Sequence, residues 1–336
     1  MQKIDLHENL INSFKDKLDE FAHPTADIKD NLAVLQWRMY GIKNSWWLED
    51  YKIADLQVIG AVVWPFEKIA DPASPGKFRI SYSEKALNEN LDAYEAFRKQ
   101  YNIKLIAEGR DLSDTKYMDF GLNFFYKLVG ADGIKSTEDV DKIYKKGIRI
   151  IQFVDQNSNG LCSSYQDKEG WLTQLGKDII IYMESKKMIV DVANMNPQSM
   201  IETYRFAKRP LLNSHTNIMS LYNDSRNITD EYLDRIDPSN GLIGLSLNSD
   251  MIVGPNAYAT LDQFMDQIEY VKNRIGADQV ALGSCYHSFL HPKMVQGLET
   301  VDTLKLLEEK MTERFWEKFT QRFFRENAYK FLTLYL

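Results

Sequence analysis

The stretch GWLTQLGKDIIIYMESKKMIVDVAN, Gly170 to Asn194, decides the fold. From Leu172, LTQLGKDIIIYMESKK reads as a helix. Met188 to Ala193 follows at once as a short apolar run that ends in a loop at Asn194. Such runs suit parallel strands buried on both faces. A helix feeding a buried strand is one part of a βα repeat, so the rest of the chain is expected to repeat it.

It does. Strands are expected at Lys3–His7, Leu56–Trp64, Lys104–Glu108, Phe124–Gly130, Ile148–Val154, Met188–Ala193, Pro210–Ser214, Leu242–Leu247 and Val280–Gly283. Helical patterns lie between them. TEDVDKIYKKG, Thr137 to Gly147, has a Thr cap, early acids, late lysines and a closing Gly. NPQSMIETYRFAKR begins at Asn196, and TLDQFMDQIEYVKNRIG runs from Thr260 to Gly276.

Alternation on this scale predicts an α/β fold of the (β/α)8 TIM-barrel type. There are nine strand candidates for eight places, and Lys104–Glu108 is the one set aside as an extra extended segment. A doubly wound open sheet is the competing architecture. It would favour a Gly-rich phosphate turn, and no GxGxxG is present.

Residues 1–336 read as a single barrel domain. A loop insertion is expected near 67–100, including ADPASPGKFRISYSE, Ala70 to Glu84, and closing helices over 302–333. The aromatic stripe of TERFWEKFTQRFFRENAYKFL is packing rather than a cofactor site.

Composition narrows the function. The chain has a net charge of −7, with both signs mixed and no basic stripe, which argues against nucleic acid. Mean hydropathy is −0.40, and no apolar run approaches the ~20 residues of a membrane span. No apolar signal core opens the sequence. Cys162 and Cys285 are too few for a disulfide framework in a chain of this size and fit a reducing compartment. A cytoplasmic protein is expected.

In a barrel of this type, chemistry sits at the C-terminal ends of the strands. Strand one ends in DLHEN, where alternation puts Asp5, His7 and Asn9 on one side. His7 with Asp two residues on would be a good metal grip, but Asn9 is neutral and a poor zinc ligand. NSHTN carries His215, and LGSCYHS carries Cys285 and His287. His23 and His291 lie beside Pro in loops and are given no role.

These motifs, in order, resemble the membrane (renal-type) dipeptidases, which are binuclear zinc enzymes of the metallo-dependent hydrolase type. The likeness runs through DLHEN, VIGAVVWPF (Val58 to Phe66), VGADGIKSTEDVDKIYKKGIRIIQF (Val129 to Phe153) and the Gly170–Asn194 stretch. It continues through RPLLNSHTN, DSRNITDE, VALGSCYHS and ENAYKFL.

The resemblance also implies that most of the metal machinery is missing. The family's first His and Asp ligands fall on His7 and Asn9. Its bridging Glu falls on Val129; Glu108, in IAEGRD, is the rival, but the helix-Gly-strand spacing favours Val129. The His that assists substrate falls on Asp155, and the His ending the next strand on Asn194. His215 matches a ligand His, and Arg226 the Arg that grips the substrate carboxylate. The final Asp pair falls on Cys285 and His287.

Three functions follow from this reading. The first is a dipeptidase-like protein with a degenerate site, binding a small peptide-like or carboxylate ligand through Arg226. The second is a hydrolase of a dipeptide or small amide, with one zinc rebuilt on His7, His215, Cys285 and His287. The third is a non-catalytic scaffold, pairing with an active relative. One zinc at most is expected, with none as the equal alternative. Asp155 is the weak candidate for a catalytic base. The resemblance implies a homodimer, while the charge pattern and the short apolar runs lead to the expectation of no nucleic-acid and no membrane partner.

Overall fold

The computed structural model describes residues 1–10, 48–70, 78–114, 121–236, 241–286 and 293–336. Among the described residues, eleven strands follow in chain order. β1 (Lys3–Glu8) and β2 (Leu56–Val63) come first, then β3 (Phe66–Ala70), β4 (Phe78–Tyr82) and the short β5 (Lys104–Leu105). After them come β6 (Asn123–Val129), β7 (Ile148–Gln152), β8 (Ile189–Asp191), β9 (Leu211–Thr216), β10 (Gly241–Leu245) and β11 (Val280–Leu282).

Eight of them form one parallel sheet in the order β1-β2-β6-β7-β8-β9-β10-β11. Its ends nearly meet. Glu8 and Tyr286 form a parallel bridge, and the Cys285 amide donates to the His7 carbonyl at 3.1 Å. This is the expected barrel. β5 pairs beside β6 off the barrel path, as expected for the segment set aside.

The stretch that predicted the repeat folds as one helix and one strand. The helix, Gln174–Ser185, starts two residues later than Leu172, because the Thr173 hydroxyl caps the Gly176 amide at 3.0 Å. β8 is shorter than the apolar run. The Asp191 carboxylate takes the Ala193 amide at 3.1 Å, and Asn194 turns left-handed at φ +64°. Both end the ladder.

The segment 67–100 differs from the expected loop. β3 and β4 pair as an antiparallel hairpin, and helix Glu84–Tyr101 follows, capped by Ser83. The turn residues before Phe78 drew the loop reading, whereas FRISY pairs with FEKIA, and Leu87, Leu91, Tyr94 and Phe97 bury one face of the helix. Residues 71–77 lie outside the described set.

Two apolar layers build the core. Phe124, Tyr126 and Leu128 alternate outward under the helices, while Phe125 joins Val58, Ile150, Ile189, Leu212 and Leu242 inside the barrel. Helices Leu304–Gln321 and Asn327–Tyr335 close the chain across a π turn, Arg322–Glu326. Ala328, Phe331 and Leu332 pack into the interior cluster. Asn327 donates to the carbonyls of Ala277 and Val280, at 2.7 and 2.8 Å. Val280 opens β11, so this helix plugs the N-terminal end of the barrel and leaves the C-terminal ends as the mouth. No described helix is long and apolar enough to cross a membrane.

Interior glycines permit one close approach. A Cβ on Gly283 would lie 1.9 Å from the Ser214 carbonyl oxygen, and one on Gly244 would lie 2.1 Å from it. A methyl there must push backbone, so Gly283→Ala is expected to cost about 1–3 kcal/mol. A lower urea midpoint with an unchanged m-value would show it. An unchanged midpoint would mean that β9 and β11 are not this close.

Candidate functional site

β1 brings His7 to the mouth by breaking its own alternation. Its pairing with β2 shifts between Asp5 and Glu8, where three steps on β1 match two on β2. The extra residue lets Leu6 pack in the interior cluster while His7, next in sequence, also meets groups inside the barrel. Asp5 does not share the role expected from alternation. Its Oδ1 accepts from the His7 amide at 3.1 Å and the Ser284 amide at 2.9 Å, and its Oδ2 from the Ser284 hydroxyl. Asp5 therefore ties β1 to the segment after β11.

His7, His215 and Cys285 converge. One potential ligand atom from each lies within 4.8 Å of the others, and all three side chains are buried. The imidazole rings stand 3.8 Å apart, centroid to centroid, with a 42° tilt. Cys285 is left-handed at φ +60°, which turns the chain inward after β11. His215 Nδ1 lies 3.0 Å from the Ser214 hydroxyl. His287, expected as a fourth ligand, lies outside the described residues.

A group that the sequence reading missed stands beside this cluster. Lys127 is fully buried on β6, and its Nζ lies 2.5 Å from His7 Nδ1 and 2.7 Å from Asp191 Oδ2. It also donates to the Ser214 hydroxyl. The other Asp191 oxygen accepts the amides of Ala193 and Ser214, each at 3.1 Å. A signal existed: NFFYKLV puts a lysine in phase with Phe125 and Val129 on the inner face of a buried strand. IVDVAN likewise puts an acid inside an apolar run.

Burial sets the electrostatics. It pulls His7 well below the ordinary histidine value, with His215 and then Lys127 adding to it, so the ring is neutral. Burial also lowers Lys127, against the pull of Asp191. For Asp191 burial opposes charge, but the Lys127 ammonium outweighs it and holds the carboxyl below its usual range. Asp5 is pushed up to about 7 by burial and then by Glu8. Glu8, which accepts a hydrogen bond from the Tyr51 hydroxyl, is pushed up to about 8 by burial.

The remaining candidates sit apart from the imidazole pair or are occupied by other partners. Asn9 Nδ2 faces Cys285 Sγ at 4.0 Å and the Tyr286 carbonyl at 3.4 Å. Val129 is buried at the end of β6, level with Gln152 on β7. Asn194 Nδ2 donates to Asp155 Oδ1 at 3.5 Å, and the Trp64 indole donates to Asp155 Oδ2 at 3.0 Å. Asp155 lines a small cavity with Phe66, Ile80, Asp132, Gln156 and Asn157. Glu108, the rival bridge, pairs with Arg110 at 2.9 Å on an exposed turn. Arg226 forks onto Asp224, with Nε at 2.8 Å and Nη2 at 2.6 Å. Its carbonyl accepts from Thr216 at the end of β9, at 3.1 Å.

The donor set can be tested against the paired zinc that the family resemblance implies. Two adjacent dications need anionic ligands between them. Among the described residues, the convergent group of three or more potential ligands holds no carboxylate, and an ammonium touches one of its imidazoles. A binuclear centre does not fit these residues. A single soft ion fits two imidazoles and a thiolate in donor type.

Known proteins show the same architecture. The family model described as "Membrane dipeptidase (Peptidase family M19)" matches residues 57–333, from the start of β2 onward, and does not include β1, the strand that carries His7. An uncharacterized protein in the PQQ-III 3' region of Acinetobacter calcoaceticus is 27% identical over 204 residues, covering 57% of this chain and 64% of that one. Dipeptidase tcpJ of Claviceps purpurea is 27% identical over 194 residues, covering 56% of this chain and 45% of that one. These matches thus span less than two thirds of either relative. A metallopeptidase from Rhodobacter sphaeroides, solved with a phosphinate mimic of the dipeptide L-Ala-D-Ala, superposes with a TM-score of 0.80 at 16% identity, covering 100% of this chain and 99% of that one.

Proposed function

We propose that this chain, which belongs to the membrane dipeptidase family, peptidase family M19, has a dismantled paired-zinc site and binds a small peptide-like or carboxylate ligand at the barrel mouth without hydrolysing it. One observation carries the reading: the convergent ligand group among the described residues, His7, His215 and Cys285, offers no carboxylate to bridge two ions. Val129 stands where the family resemblance puts the bridge, and it has no lone pair. Without a metal ion there is no metal-activated water near neutral pH to attack a peptide bond.

The ligand class follows from the shape and from Arg226. The Rhodobacter sphaeroides protein, with the same barrel, was solved holding a dipeptide mimic. Arg226 stands at the exit of β9, and its guanidinium fork suits a carboxylate once it is exchanged from Asp224. Protein purified without added zinc should carry far less than one zinc per chain and release no amino acids from simple dipeptides. A carboxylate-bearing dipeptide should raise its melting temperature, and Arg226→Ala should remove that rise. About two zinc ions per chain, together with dipeptide turnover, would overturn the reading.

The convergence within 4.8 Å favours a second reading, a single zinc on His7, His215 and Cys285. Such an ion would supply a Lewis acid and an acidified water. Close to one zinc per chain, lost in Cys285→Ala, would support it over the first.

A further inference from the structure

We propose that the Lys127 ammonium is a tethered cation that takes the place of a metal at His7, holding the mouth together without an ion and excluding one from it. The inference deepens the first reading above and rests on it.

An ammonium has three N–H donors and no lone pair. Lys127 Nζ has three partners: Asp191 Oδ2, His7 Nδ1 and the Ser214 hydroxyl. They come from β8, β1 and β9, so one cation ties three strands at the mouth, as a metal bound by side chains from several strands would. The Asp191 carboxylate keeps the cation charged in a site closed to water.

The consequence for His7 is chemical. Facing an ammonium, Nδ1 must accept, and a neutral ring then carries its proton on Nε2. A ring with one nitrogen accepting from Lys127 and the other protonated has no lone pair left for a metal. His215 and Cys285 remain, and two ligands beside a fixed positive charge make a poor site. The lysine therefore explains how two family-like histidines can persist here without binding an ion. On this account Lys127 is a positioning residue, since it fixes the tautomer and place of His7 and acts through that ring.

Cobalt(II) titration of the chain of residues 1–336 tests the exclusion, read by the thiolate-to-cobalt charge-transfer band of Cys285. The native chain should show no band. Lys127→Met, which keeps the length of the side chain but has no charge or donor, should bind cobalt more tightly by on the order of 10–100-fold. Ring nitrogen NMR shifts of the native, metal-free chain give a second readout that needs no variant, with His7 assigned through His7→Gln. His7 should be the Nε2–H tautomer. A band at equal cobalt concentration in the native chain, a folded Lys127→Met that binds no cobalt, or an Nδ1–H tautomer would each overturn the proposal. One cobalt on the native chain would defeat this inference but leave the loss of the paired site standing. Only two ions with turnover would defeat both.

Discussion

Asp191→Asn will cost the folded chain about 3–5 kcal/mol, and adding Lys127→Met will return a large part of that loss. Both side chains are completely buried, with Nζ 2.7 Å from Oδ2. Taking two charges out of water costs several kcal/mol for each, and their attraction offsets that only while both are present. Asparagine keeps an oxygen for the amides of Ala193 and Ser214, so the change isolates the lost charge. It leaves the ammonium buried against an uncharged partner. Removing that ammonium as well takes away the penalty, although the new amide then lacks an acceptor. Urea unfolding of the native chain, both single variants and the double variant gives the coupling energy. A coupling below about 1 kcal/mol would mean that water or a counter-ion reaches the pair.

The second large effect is a loss of stability as pH rises from about 5 to 9. Asp5 is raised from 3.8 to about 7, and Glu8 from 4.5 to about 8. A carboxyl whose folded pKa lies above its unfolded value favours the fold while it is protonated. That contribution is complete below about pH 4 and disappears as pH climbs through 7 and then 8. One pKa unit is about 1.4 kcal/mol, so each group contributes on the order of 5 kcal/mol at most. The two are not additive, because Glu8 is itself one cause of the Asp5 shift. Asp191 works in the opposite sense, but it titrates below the window. Urea midpoints at pH 5, 7 and 9 should fall in that order, and Glu8→Gln should flatten the upper part of the fall. A flat profile would show that neither acid is desolvated as the geometry implies.

The barrel was legible because buried parallel strands and amphipathic helices each leave a local period, and the two alternate through most of the chain. The hairpin of β3 and β4 was hidden because the Pro- and Gly-containing sequence between the two strands reads as a loop. At the mouth, His7, His215 and Cys285 could be found because their types are rare and fall at strand ends. Lys127 and Asp191 were missed for the opposite reason. A lysine on one strand and an acid on another become a pair only when the barrel closes, and neither NFFYKLV nor IVDVAN shows the other's position. The bulge on β1 was equally hidden, since an extra residue in the ladder depends on the neighbouring strand.

The left-handed turn at Asn194 carries a further lesson, about reversibility. Backbone at φ +64° admits a short alphabet beyond glycine, enriched in asparagine, aspartate and histidine. Exchange between imidazole and amide at this corner therefore leaves the scaffold undisturbed in either direction. An engineer who wished to build a metal ligand into this barrel could begin at that corner, where the backbone admits histidine as readily as asparagine.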